Sequence, residues 1–542
     1  MSKRRGFSLT LFLTVCLVVV MALLLVSAAA NAEGGTRYVA PTGTDSGNCT
    51  DPGLPCRTVQ YAVDAASVGD VVKVAGGIYD DVSPHLVPLG YPSPPGPLII
   101  RQVAYLEKSI ALRGGYDSGF SEPPDSMANP TTLDALAQGR ALVIAGPITP
   151  TVEGLRLAGG NPLGAGGSPG GDAGGGLYVI SASATISGNW LFGNVAQYGG
   201  GGYAFYSAAN LRNNHVYSNT ALFGAGLFLY GSDARLRANV VSSNTATSIG
   251  GGLYLHQGGP VLRENAIYSN TAPAVGGGLY LLGGTPVIQG NTIHGNSGGW
   301  GGGLYLESSS AAIGGNDIQG NSAQLGGGLY LSSSSAMLDA NSIRSNEAGE
   351  YGGGAYLYGG QSTLTNNVIA ENQAGVGGCG LSVVGRSTRL LHTTIARNRG
   401  GDGSGIYVRE GFFGEPGAAF LTNTILVSHT VGIHVSVGNT GSLTATLWGI
   451  GAWANGANWG GDGTVLTGTV NVLGEPGFVD PDAGDYHIGP GSEALNRGMP
   501  AGVWRDLDGQ PRSYGGPDLG ADEYWPPGLP RMVCLPVVLK RH

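Results

Sequence analysis

Polar and apolar positions in this chain repeat with a period much longer than that of a helix or a strand. An apolar triplet follows each cluster of glycines. It reads Leu177-Tyr178-Val179, Tyr203-Ala204-Phe205, Leu227-Phe228-Leu229, Leu253-Tyr254-Leu255 and Leu279-Tyr280-Leu281. It continues as Leu304-Tyr305-Leu306, Leu329-Tyr330-Leu331, Ala355-Tyr356-Leu357, Leu381-Ser382-Val383 and Ile406-Tyr407-Val408, in steps of 24 to 26 residues. Two further aliphatic columns follow each triplet, one from Ile186 through Leu262 to Leu390, the other from Leu191 through Ile267 to Ile425. Each is followed by an asparagine. The first asparagine column holds Asn189, Asn214, Asn239, Asn265, Asn291, Asn316, Asn341 and Asn367; the second runs from Asn194 to Asn398.

Three short apolar groups per copy, separated by Gly or Asn, predict three strands joined by sharp corners, because both residues accept left-handed backbone. A period sustained over ten copies is the mark of a solenoid. Copies running in one direction pair in parallel at ~4.8 Å per coil, and parallel crossovers are right-handed. The expected fold is all-β: a right-handed parallel β-helix with three strands per ~25-residue coil and an N-terminal helical cap. Aliphatic columns fill its interior, and the asparagines form amide ladders along the axis.

The glycine content, 99 of 542 residues, fits many tight turns and shows no Gly-X-Y period, which excludes collagen. Leucine-rich repeats and calcium-binding nonapeptides have comparable periods, but the glycine clusters here lead into Leu-Tyr rather than into their signatures. Only 12% of residues are charged, and the formal net charge is −9. Lys3, Arg4 and Arg5 are the only charged residues in 1–32, so the chain without that segment carries −12 (−9 minus 3), which argues against nucleic-acid binding.

The basic start, the apolar stretch Phe7 to Val26 and Ala30-Asn31-Ala32 read as a secretory leader, with an uncleaved anchor as the alternative. A secreted or cell-surface location is expected. Cys49 and Cys56 then meet an oxidising compartment, and a small-loop disulfide is expected in preference to two free thiols. Cys379 stands where other copies carry glycine, and Cys534 has no evident partner. The organisation expected is 1–32 leader, 33–97 N-terminal cap, 98–470 β-helix with regular coils over about 174–430, 471–525 closing segment and 526–542 tail. Val59, Ala62, Val63 and Ala66 have helical spacing, strand Val71 to Val74 follows, and Ser83 to Pro97 is expected to be a loop.

Tyr38-Val39-Ala40-Pro41-Thr42-Gly43, Cys49, Cys56-Arg57-Thr58 and Gly69-Asp70-Val71-Val72 resemble the start of bacterial pectate-lyase-like β-helix proteins. The G-G-G-L-Y-L and N-x-I-x-x-N copies resemble those of polymorphic outer-membrane-protein-type adhesins. Phe478-Val479-Asp480-Pro481, Arg505-Asp506-Leu507-Asp508-Gly509 and Asp518 to Tyr524 resemble the closing segment of surface β-helix proteins with a choice-of-anchor domain. These resemblances imply a fold and a location, and leave activity open.

Lyases of that superfamily use carboxylates on neighbouring coils to hold calcium, and the position after each triplet offers none on adjacent coils. No catalytic residue, metal or cofactor is therefore expected; calcium lacks a clear motif. His256, His294 and His392 are dispersed. If the leucines of each triplet point inward, the tyrosines point outward, giving a stripe with Tyr254, Tyr280, Tyr305, Tyr330 and Tyr356. An exposed stripe stacks on sugar rings; the alternative is that it stabilises the strands or lies beneath a loop. A second column, Arg212, Arg237 and Arg263, needs negative charge nearby, from Glu264 or an anionic glycan. The expected role is an exported, monomeric binding, adhesive or structural protein that contacts a polysaccharide or a cell-envelope component, with membrane contact only through an uncleaved leader. The alternative is a polysaccharide lyase or glycoside hydrolase.

Overall fold

A computed structural model describes residues 34–92, 99–468, 470–512 and 515–526. The leader, Cys534 and nearly all of the tail lie outside them. Among the described residues no helix is long and apolar enough to cross a membrane.

The repeat forms a right-handed parallel β-helix, but eight of its coils, from Leu177 to Ala374, have four strands, not three; the coils from Leu381 on have no fourth. One coil runs Leu253–His256, Val261–Arg263, Ala266–Tyr268 and Thr271–Val275. The triplet strands stack into a fifteen-stranded sheet. The second and third strands of each coil form the two wings of a bent 29-stranded sheet. The fourth strand, from the Thr-Ala stretch after the second asparagine, makes an eight-stranded arm sheet. Leu253, Leu255, Leu262 and Ile267 face one continuous interior core. The arm lies outside that core, with Ala221, Ala246 and Ala272 packed in a cluster of their own.

The glycine cluster is what lets the arm turn back. Gly250 takes φ +68°, and a Cβ on Gly251 would sit 2.4 Å from the carbonyl oxygen of Gly277 in the next coil. Only residues with little or no side chain fit there. Ala225 and Cys379, both fully buried, occupy the equivalent places.

Both asparagine columns are hydrogen-bonded ladders. Asn214 donates from Nδ2 to Asn239 Oδ1 at 3.0 Å and to the Ile186 carbonyl at 2.8 Å, and its backbone N–H reaches the same Oδ1. The pattern repeats through Asn265, Asn291, Asn316, Asn341 and Asn367. The second ladder ends when Asn398 meets His429 Nε2 at 3.2 Å. A buried amide bonded on both sides carries no desolvation penalty.

One copy is displaced by a residue. Gly202, not Tyr203, pairs with Leu177 and Leu227, which puts Tyr203 in the tyrosine column. Gly202 and Ala204 supply less volume than the leucines they replace, leaving an apolar void of about 10 Å³.

At the N-terminal end, helix Val59–Ala65 buries Val59, Ala62 and Val63 over the first coil, with Thr58 as its N-cap. Cys49 and Cys56 are bonded beside it. Within the expected loop, Ser83–Leu86 is a strand, antiparallel to Ile99–Leu106. The last coil ends with Asn471–Gly474. The closing segment does not sit over that end. It turns back along the flank, where Tyr486, Ile488, Leu519 and Ala521 cover Val368, Ala370, Ala396 and Ile425. Arg512, fully buried, bonds Asn366 at 2.9 Å and pairs with Glu523 at 3.4 Å.

Candidate functional site

The tyrosine column does point away from the core, but it is covered. Tyr254 is 8% exposed, Tyr280 4%, Tyr305 5%, Tyr330 3% and Tyr356 0%. Their rings follow one another coil on coil at 4.6–5.4 Å between centroids, tilted at Tyr254–Tyr280 and stacked from Tyr280 to Tyr356. The arm residues Phe223, Ile249, Val275 and Tyr351 pack over one side, with Trp300 stacked on Tyr330. The exposed stripe expected from strand alternation is therefore corrected: outward from the core is not outward to water, because the fourth strand folds over it. The hydroxyls are also engaged. Tyr280 donates to Glu307 at 2.6 Å, and burial together with that carboxylate raises its pKa far above the ordinary range. Arg409 donates to the Tyr356 hydroxyl at 2.7 Å.

The open surface is the bent sheet. On its first wing, outward residues stack in register: Arg113, Glu153, Ser187, Arg212, Arg237, Arg263, Gln289, Gly314 and Asp339. Arg235 lies beside Arg237 on the same strand. Outward positions from Arg113 to Arg263 thus hold five arginines and one glutamate, with Glu264 at the next corner. Arg237 meets Glu264 at 3.0 Å, as the charge pattern requires, while Arg212 lies 3.9 Å from Glu153, which Arg113 also contacts at 3.1 Å. Arg263 is exposed between Arg237 and Gln289, and among the described residues no carboxylate pairs with it. In a chain of net charge −9 this strip is locally basic.

Two cavities flank the same column. One, of about 310 Å³, lies beneath the 117–129 loop and is lined by Arg113, Ser126, Glu153, Ser187 and Arg212. The other, of about 570 Å³, lies at the far end, where Met337, Asp339 and Thr365 face Val503 and Trp504 of the closing segment. The second wing carries half-exposed rings that the repeat did not reveal. Trp190 stacks on His215 at 5.7 Å, Phe192 on Tyr217 at 5.2 Å and Tyr268 on His294 at 4.9 Å. They flank the second aliphatic column, and alternation about that column was the signal that could have found them.

A model of the right-handed β-helix region matches residues 169–293 and 277–446, together more than half of the chain. The chain belongs to the right-handed β-helix family. Three solved structures are among those similar to it. Pectate lyase Pel9A is 13% identical over 90% of this chain and 96% of its own, with a TM-score of 0.25. XylC in complex with xylose is 11% identical over 82% and 87%, at 0.33. DFA-IIIase from Arthrobacter chlorophenolicus A6, in complex with GF2, is 10% identical over 76% and 94%, at 0.29. No curated protein matches.

In this β-helix protein the dispersed histidines do not converge. His392 is buried against Asn423 at 2.8 Å and the Asp518 carbonyl, and burial pulls its pKa down to about 3. His487, in the closing segment, lies 2.6 Å from Asp485 and 3.1 Å from Asp508. The hydrogen bond to Asp508 is the main cause holding its pKa up to about 10, so its own proton answers those carboxylates at neutral pH. Asp522 completes a grouping whose ligand atoms lie within 4.8 Å of one another.

Proposed function

We propose that this protein is an exported, cell-surface or extracellular β-helix that binds an acidic polysaccharide along the first wing of its bent sheet. The arginine column carries this reading. Guanidinium groups on successive coils, ~4.8 Å apart, repel one another unless an anion lies over them, and among the described residues Arg263 lacks even the carboxylate that Arg212 and Arg237 have. A polymer with regularly spaced acid groups, running along the axis, satisfies several arginines at once, and bidentate guanidinium–carboxylate contacts suit it. The stacked rings on the second wing offer apolar faces to the same chain across the corner. Export rests on the leader, and nothing in the role requires a cofactor or a second copy of the chain.

The test is retention of the mature protein on acidic and neutral polysaccharides at low and high salt. Arg212→Ala, Arg237→Ala and Arg263→Ala combined should weaken acidic-polymer binding roughly 30-fold, about 0.7 kcal/mol per exposed contact. Tyr280→Phe, beneath the arm, should leave it unchanged. Equal retention of wild type and the triple variant, or binding that ignores salt, defeats the proposal. Absorbance growth at 235 nm during incubation would instead reveal a lyase.

A further inference from the structure

The cavity at the C-terminal end of the arginine column differs in chemistry from the rest of the strip. It holds about 570 Å³, within the range of small-ligand sites. Its mouth is formed by two apolar side chains that the fold leaves in water: Trp504 is 81% exposed and Met337 66%. Trp504 sits on the closing segment and Met337 on the first wing, so the site exists only because that segment turns back along the flank. The backbone there is fixed from both sides, since Asn366 donates from Nδ2 to the Arg505 carbonyl at 2.9 Å and to Asp339 Oδ1 at 3.2 Å. Among the described residues Asp339 has no ion-pair partner, and burial raises its pKa. Thr363 and Thr365 line the same wall.

We propose that this cavity is a subsite for a neutral sugar unit, whose C–H face packs on the Trp504 indole while its hydroxyls meet Asp339 and Thr365. An indole platform opposite a carboxyl and hydroxyls suits a ring with one apolar face and a polar rim. A carboxylate-bearing sugar is excluded there by Asp339, with which it would share a site as a like charge. The choice of a sugar as ligand rests on the polysaccharide reading of the first wing. Asp339 lies three coils beyond Arg263, through Gln289 and Gly314, a rise of ~14 Å. The polymer implied is therefore mixed, with acidic units over the arginines and a neutral unit at this end.

The experiment uses the mature full chain, with neutral gluco-, manno-, xylo- and galacto-configured hexasaccharides as probes. Titrations are followed by tryptophan fluorescence and calorimetry. At least one neutral probe should bind, and Trp504→Ala should weaken it about tenfold, the worth of one aromatic platform. Asp339→Asn, which keeps shape and hydrogen bonding, should weaken the neutral probe less and allow an acidic oligosaccharide to enter. Tyr280→Phe, beneath the arm and away from both sites, should leave the neutral probe untouched. No binding by any neutral probe, or binding indifferent to Trp504→Ala, overturns the subsite. Absence of acidic-polymer binding by the wild-type protein, with Trp504-dependent neutral binding present, would overturn the reading of the first wing and not this one. Trp504 is exposed, so an unchanged melting temperature should confirm that each loss is local.

Discussion

At the scale of single residues, the buried amides set the tolerances of this protein. Asn398 hands the second ladder to His429, whose other nitrogen lies 3.2 Å from Asn455 Oδ1. Nε2 must then accept, Nδ1–H must donate, and the ring must be neutral. Burial accordingly pulls the pKa from 6.5 to about 4. In the unfolded chain His429 gains a proton below about 6.5, while the folded protein resists until about pH 4. Its contribution is thus complete above 6.5 and lost as pH falls through that window, about 3 kcal/mol in all. His429→Asn, which extends the ladder in kind, should keep stability at pH 7 and flatten the acid limb. Urea midpoints at pH 7 and pH 4.5 would check it; equal acid sensitivity in both proteins would contradict it. Glu523 and Asp522 run the other way, because burial lifts them to about 7 and about 6. The closing segment therefore loses stability as pH rises from ~4 to ~7.

At the scale of elements, the arm converts an outward column into a second core. Tyr280 packs among stacked rings with Val275 folded over that core, so Tyr280→Ala should cost ~3–5 kcal/mol, the penalty of truncating a buried aromatic. Tyr280→Phe should cost ~1 kcal/mol, since it removes a single hydrogen bond to Glu307. Thermal unfolding separates the two; equal small losses would show that the stripe is not packed as described. What could be read in advance follows the same division. Leu253, Leu262 and Ile267 announced the interior because each recurs at a fixed position in almost every copy, and Asn265 and Asn270 announced the ladders for the same reason. The arm was illegible because its covering residues change identity from Phe223 to Ile249, Val275, Trp300 and Leu325. Tyr203 was misplaced because Gly202 stands where every other signal was a side chain. The arginine column was visible, but the rings beside it were not, since Trp190, His215, Val240 and Ala266 share a position without sharing chemistry.

At the scale of the whole molecule, the two ends are unlike. The first coil lies beneath a helix pinned by Asp45, which accepts from the Arg57 and Thr58 backbone. The closing segment instead grips the side of the stack, through Asn366, Thr394 and Asn423. These contacts join residues more than 70 positions apart, and no local pattern could announce them. Their consequence is the far cavity, which neither the coils nor the closing segment could form alone.

The amide ladders also give the stack translational symmetry. Asn265 and Asn270 each accept from the coil before and donate to the coil after in the same manner as their neighbours. A tandem copy of residues 253–278, inserted after Gly278, would meet at both faces the partners it already has. Such a chain should fold and gain ~4.8 Å in length, visible by small-angle scattering, with stability equal to or above that of the parent. Length in this molecule is a quantity evolution or an engineer can count out in whole coils.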